Sequence, residues 1–164
     1  MDKAELSFPA PNATVSLREI TADTLRSILD LSVSAEQTMY VASNAVSIAQ
    51  AYFYREAWFR AIHADEVPVG FVMLKDDSLV PDNSNPGPIE MWRFMIDHRY
   101  QGMGFGRAAI ALIARHVRER TGQSALDTSY MPGPHSPEAF YLRCGFLHTG
   151  RMDGDEIVLS LSID

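Results

Sequence analysis

The chain has 164 residues, with 14 Lys and Arg against 21 Asp and Glu, for a formal net charge of −7. Its length suits one domain, and 46% hydrophobic with 21% charged residues argues against a disordered chain. The acidic balance argues against nucleic acid as a partner, and the single Cys144 excludes an intramolecular disulfide framework or a Cys-rich zinc site.

Met1 to Asn12 carries Pro9 and Pro11 without any period and reads as a flexible tail before one domain spanning 13–164. The first residues show no apolar signal core and no later stretch approaches the length of a membrane span, so no membrane is expected and the reducing cytoplasm is the default compartment. Val15, Leu17 and Ile20 suggest a short strand, after which Thr21 or Asp23 caps a helix with Leu25, Ile28, Leu29 and Leu31 on its apolar side. Ser34 to Tyr54 reads as a second helical region, broken around Ala42 to Asn44. Trp58 to Ala64 and Val67 to Lys75 flank the tight turn Asp65-Glu66, and Val80 to Pro88 is a loop.

Ile89 to Ile96 is a third strand, and Ala108 to Arg120 is the strongest helix, stopped by Gly122. Ala125 to Tyr130 is a strand, Met131 to Pro137 a Pro-rich loop, and a short helix runs to Arg143 before Gly145. Phe146 to Arg151 and Glu156 to Ile163 flank Asp153-Gly154, a hairpin signal. This order predicts a single mixed α/β (α+β) domain.

The chemistry concentrates between Ile89 and Arg107, where a strand runs through a glycine-rich loop into the best helix. Gly102, Gly104 and Gly106 let the backbone approach a ligand closely. The unsatisfied N–H groups and dipole of the following helix complete an anion site suited to phosphate or pyrophosphate. A dinucleotide fingerprint needs G-x-G-x-x-G and a P-loop needs a following Lys; neither is met, and a ligand-free glycine turn stands beside the phosphate reading.

Gln101-x-x-Gly104-x-Gly106, following a strand and opening a helix, resembles the acetyl-CoA motif of the GCN5-related N-acetyltransferases. Phe140-Tyr141-Leu142-Arg143-Cys144-Gly145-Phe146 resembles that family's terminal helix. Glu36-Gln37, Val41-Ala42-Ser43-Asn44, Met91 to Asp97 and Arg99-Tyr100-Gln101-Gly102 look most like its bacterial spermine/spermidine members. The resemblance implies a twisted, mostly antiparallel mixed sheet of about six to seven strands flanked by about four helices, splayed at the cofactor strand. It also implies transfer of acetyl from acetyl-CoA directly to a primary amine acceptor such as a polyamine; separately, a homodimer is compatible with the sequence. A non-catalytic acyl-CoA sensor of the same fold is the alternative.

Carried onto this chain, the resemblance assigns the cofactor to Phe94, Met95, Ile96, Gln101, Gly102, Met103, Gly104, Phe105, Gly106 and Arg107, with the Ile96 N–H as first choice for the thioester carbonyl. Glu90 takes the base position, and strand alternation sets it on one face with Trp92 and Phe94; a water chain is the alternative base. Tyr141 takes the position of the acid for the leaving thiolate. Pro134 stands where many relatives carry an Asn on the cofactor arm, so that contact is not expected. Glu36, Tyr40, Asn44, Tyr54 and Glu56 fall where the family's acceptor pocket is built, but exposed helix polarity explains each at least as well, so none is assigned to the site. Cys144 reads as a bystander, and His63, His98, His116, His135 and His148 share no metal spacing, so no metal is expected.

Overall fold

In the computed structural model, which describes residues 8–164, one seven-stranded sheet gathers β1 (Val15–Arg18), β2 (Ala57–Ala64), β3 (Val67–Lys75), β4 (Ile89–Ile96), β5 (Ala125–Tyr130), β6 (Leu147–Asp153) and β7 (Glu156–Ser162). The order is β1-β2-β3-β4-β5-β7-β6. Only β4 and β5 are parallel; every other pair is antiparallel. The expected mixed α/β sheet is therefore present, with α1 (Leu25–Leu29), α2 (Asn44–Ala51), α3 (Phe105–Thr121) and α4 (Glu138–Arg143) on its faces. Residues 1–7 of the expected tail lie outside the described residues; in the remainder, Pro9 is buried and the Phe8 ring lies 5.3 Å from Tyr100. Among the described residues no helix is long and apolar enough to cross a membrane.

Local chemistry explains where the helices start and stop. Thr21 and Thr24 cap α1 reciprocally: the Thr21 N–H donates to Thr24 Oγ1 at 2.9 Å and the Thr24 N–H to Thr21 Oγ1 at 3.4 Å. Ser43 Oγ accepts the Val46 N–H at 3.3 Å and opens α2, which places the break in the second helical region at 38–43. The longest helix begins at Phe105 rather than at the expected Ala108. Gly106 is a poor helix former, yet a Cβ there would stand 3.0 Å from the Phe140 ring, so close packing selects glycine inside the first turn. Gly122, at φ 67°, ends the helix as expected.

Both faces of the sheet are covered. Val72, Leu74, Ile89, Met91, Leu126 and Leu159 pack against Ile113 and Val117 of α3, and Ala61, Phe71, Met73 and Met95 pack against Ile28, Ile48 and Ala51 of α1 and α2. Full burial of each Val, Leu, Ile, Met or Phe among them contributes about 1.5–3 kcal/mol. The two layers meet the sheet's central strands, which explains why β3 is apolar on both faces.

Asp97 anchors the turn that leads out of β4. It is 1% exposed and accepts hydrogen bonds from the Ser32 N–H at 2.9 Å, the Arg99 N–H at 3.0 Å and Arg99 Nε at 2.8 Å. Burial alone would raise its pKa, but the Arg99 side chain and the two N–H donors outweigh that and hold it below the usual carboxylate range. A lowered folded-state pKa means this stabilisation is full above the unfolded aspartate range and is lost as the pH falls through the lower folded value. Asp97→Asn is expected to cost about 2–4 kcal/mol at pH 7, measured by urea unfolding, with a smaller difference from the parent protein below about pH 3.

Candidate active site

The central strand parts from its neighbour halfway along. β4 pairs with β5 only over Ile89–Met91 against Leu126–Thr128, whereas it stays on β3 through Ile96. Thr128 Oγ1 donates to the Met91 carbonyl at 3.2 Å where the pairing ends. The Asp97 N–H donates to the Val69 carbonyl of β3 at 2.8 Å. Strand alternation therefore turns the N–H groups of Ile96 and Phe94 toward the edge that β5 has left. The splay inferred by resemblance is present.

A bulge at the same point redistributes the side chains. Met73 pairs with Arg93 and Leu74 with Met91, which leaves Trp92 as the extra residue. Glu90, between the α3-side core residues Ile89 and Met91, faces the α1–α2 side, and Trp92 packs with the α1–α2 cluster. Phe94 does not share that face: the bulge moves it to the α3 side, where its ring stacks on Phe140 at 5.7 Å and 14°. Arg93 takes the place beside Trp92 that alternation reserved for Phe94, with its guanidinium 5.1 Å from the Trp92 ring. Simple alternation missed Arg93, and no signal in its neighbours marked the bulge.

The opening continues into a cleft of about 1610 Å³ that reaches both sides of the splay. On one side lie Gln101, Gly102, Gly104, Gly106 and Arg107, with Tyr141 and Cys144 behind them; Phe94, Met95 and Ile96 line its centre. Gly102 and Gly104, at φ 75° and 87°, take a left-handed turn that side chains disfavour, and the first turn of α3 follows directly. Gln101 uses its side chain within the protein, donating to the Ile96 carbonyl and to Gln37 Oε1, each at 2.9 Å. The side chains of Met103 and Phe105 pack into the core and do not line the cleft.

Glu90, Trp92, Arg93, Tyr54, Glu56 and Glu156 line the other side. Burial pushes the Glu90 carboxyl above its usual range; Lys75, opposite it on β3, opposes this and Asp153 and Asp127 add to it. Burial also pushes the Tyr141 phenol up to about 12, against a smaller pull from Thr128. Tyr141 thus stays protonated across the neutral range. The Cys144 thiol is raised by burial, with Arg107 and Arg143 opposing, which disfavours a reactive thiolate.

A segment from the second helical region bridges the cleft mouth. Tyr40 Oη accepts the His135 N–H at 3.3 Å, and Glu36 lies 3.7 Å from His135. Gln37 meets Gln101 at the other end. Asn44, expected near the acceptor, is buried instead and donates to the Ile28 carbonyl at 2.9 Å, which makes it a structural pin between α1 and α2. Tyr54 sits edge-on to Trp92 at 5.5 Å.

A family model described as the acetyltransferase (GNAT) family matches residues 24–146. A spermine/spermidine N(1)-acetyltransferase from Bacillus subtilis is 28% identical over 155 residues, covering 89% of this chain and 97% of the relative. Among solved structures, an aminoglycoside acetyltransferase in complex with coenzyme A aligns with a TM-score of 0.71 at 13% identity, over 91% of this chain and 95% of that one. The PaiA N-acetyltransferase of Thermoplasma acidophilum, in complex with coenzyme A, aligns at 0.63 and 16% identity, over 91% and 99%.

The bridge over the cleft has a direct test. A Cβ at Gly133 would collide with the Tyr40 hydroxyl, so Gly133→Ala is expected to dislodge Tyr40. Hydrogen exchange of amides in 35–43 should accelerate about threefold or more while those of β3 stay unchanged.

Proposed function

The chain belongs to the acetyltransferase (GNAT) family and is an N-acetyltransferase, and we propose that it moves the acetyl group of acetyl-CoA directly onto a primary amine of the polyamine class. The observation that carries this reading is the open edge of β4, which runs straight into the glycine turn and the start of α3. Free strand N–H groups suit a pantetheine arm and a thioester carbonyl, and a helix start suits a pyrophosphate. The coenzyme A complexes of the structural neighbours are consistent with that use of the cleft. The name of the Bacillus relative and the carboxylates Glu56, Glu90 and Glu156 in the cleft support a cationic acceptor.

Each residue then has one task. The backbone from Gln101 to Arg107 holds the pyrophosphate, while the Phe94 and Ile96 N–H groups, on either side of Met95, receive the arm. The Ile96 N–H donates to the carbonyl oxygen as negative charge develops there. An alkylammonium cannot attack until deprotonated, and Glu90, whose proton affinity burial has raised, accepts that proton at its carboxylate. Nitrogen then forms the amide bond as carbon–sulfur breaks, and the Tyr141 hydroxyl gives its proton to the departing thiolate.

Thiol release from acetyl-CoA with spermidine tests both roles. Glu90→Gln is expected to lower kcat about 10²-fold. Because the base works ionised and its pKa is raised, the parent enzyme should lose kcat/KM on the acidic side at a pH above the ordinary glutamate range, and the variant should lose that limb. Tyr141→Phe should lower kcat about tenfold or more with little change in acetyl-CoA affinity. Tight acetyl-CoA binding without thiol release from any amine would contradict the enzyme reading.

A further inference from the structure

Among the described residues Arg93 is a cation without a counter-ion, in a cleft proposed to take a cationic substrate. Its Nη1 donates to the Trp92 carbonyl at 2.9 Å and its Nη2 to Gln50 Oε1 of α2 at 3.1 Å. Its Nε–H is buried with no acceptor, and among the described residues no carboxylate lies within 4.0 Å of it. Burial lowers its pKa, with Glu156 opposing from across the cleft, but a guanidinium remains charged throughout the working range. The positive charge is thus half-buried and has no carboxylate in contact with it, a setting in which it acts over several ångströms.

The negative charges lie elsewhere on the same cleft. Asp127 is satisfied by Arg151 at 2.9 Å. Asp153 and Glu156, at the tip of the β6–β7 hairpin, have no such cation among the described residues, and the Glu156 carboxylate accepts the Ser129 hydroxyl. With Arg93 tied to α2 and the hairpin two strands beyond β4 in the sheet order, Arg93 sets a positive charge at the α2 wall of the cleft and Asp153 and Glu156 set negative charges at its hairpin wall, while Glu56 and the base Glu90 line the same cleft.

We propose that Arg93 is a specificity-determining residue that reads the charge an acceptor carries beyond its reacting amine. It repels a second ammonium from the α2 wall and so orients a polyamine with its distal charges toward Asp153 and Glu156. It also favours an anionic group on its own side. The proposal rests on the amine-acetyltransferase reading and narrows the acceptor within it. A residue that only braced the bulge would affect all amines alike; a charge reader shifts their ratios.

The test compares kcat/KM, by thiol release, for an n-alkylamine, an α,ω-diamine and an ω-amino acid of equal chain length. Arg93→Met is expected to raise the diamine-to-monoamine ratio about tenfold and to lower the amino-acid-to-monoamine ratio by a similar factor. Arg93→Gln, which keeps a donor for the Trp92 carbonyl, should shift the ratios the same way and covers the case in which Arg93→Met does not fold. Arg93→Lys, which keeps the charge, should hold both ratios within about threefold of the parent. Ratios unchanged in both neutral variants, or a parallel loss for all acceptors, would overturn the proposal while leaving the amine reading intact. Failure of the parent enzyme to acetylate any of these or spermidine would overturn the amine reading, and this proposal with it.

Discussion

The separation of β4 from β5 beyond Met91 and Thr128 is the constraint on which the site depends. A parallel pair that stayed closed would consume the outward N–H groups of Phe94 and Ile96 in the ladder and leave a thioester nothing to bind. Opening it exposes unsatisfied donors, which is costly inside a protein. Several features make the opening tolerable: Gln101 caps the Ile96 carbonyl, Asp97 locks the end of the strand, and β3 continues to pair with β4 along its other edge. The sheet is intact where it must carry stability and open where it must carry chemistry.

The Trp92 bulge is the second half of the same device. One extra residue in β4 places Trp92 and Arg93 next to one another on the acceptor side and moves Phe94 onto Phe140 of α4. The Phe94–Phe140 stack and the contact of the Phe140 ring with Gly106 then join the open strand, the start of α3 and the helix that holds Tyr141. The first turn of α3, the open strand and Tyr141 are thereby fixed relative to each other by packing.

Much of this was legible in the chain. The bounds of β4 and β5, the helix stop at Gly122 and the hairpin at Asp153-Gly154 follow from periodicity and turn chemistry. The bulge did not follow, because Met91, Trp92 and Arg93 alternate no differently from a regular strand. Local propensity starts α3 too late because Gly106 disfavours a helix, and its fit beneath Phe140 explains its presence there. Asn44 looked like an exposed helix polar residue; its burial against the Ile28 carbonyl depends on how α1 and α2 pack. The contact between Tyr40 and His135 joins segments far apart in the chain, which local pattern does not report.

The central claim is that the free edge of β4 receives the acyl donor, and amide hydrogen exchange resolved by residue measures it directly. On adding acetyl-CoA, the Phe94 and Ile96 amides and those of 101–107 should become protected, while the Asp97 amide, already bonded to Val69, should not change. Protection confined to 101–107, with Phe94 and Ile96 exchanging as before, would contradict the account.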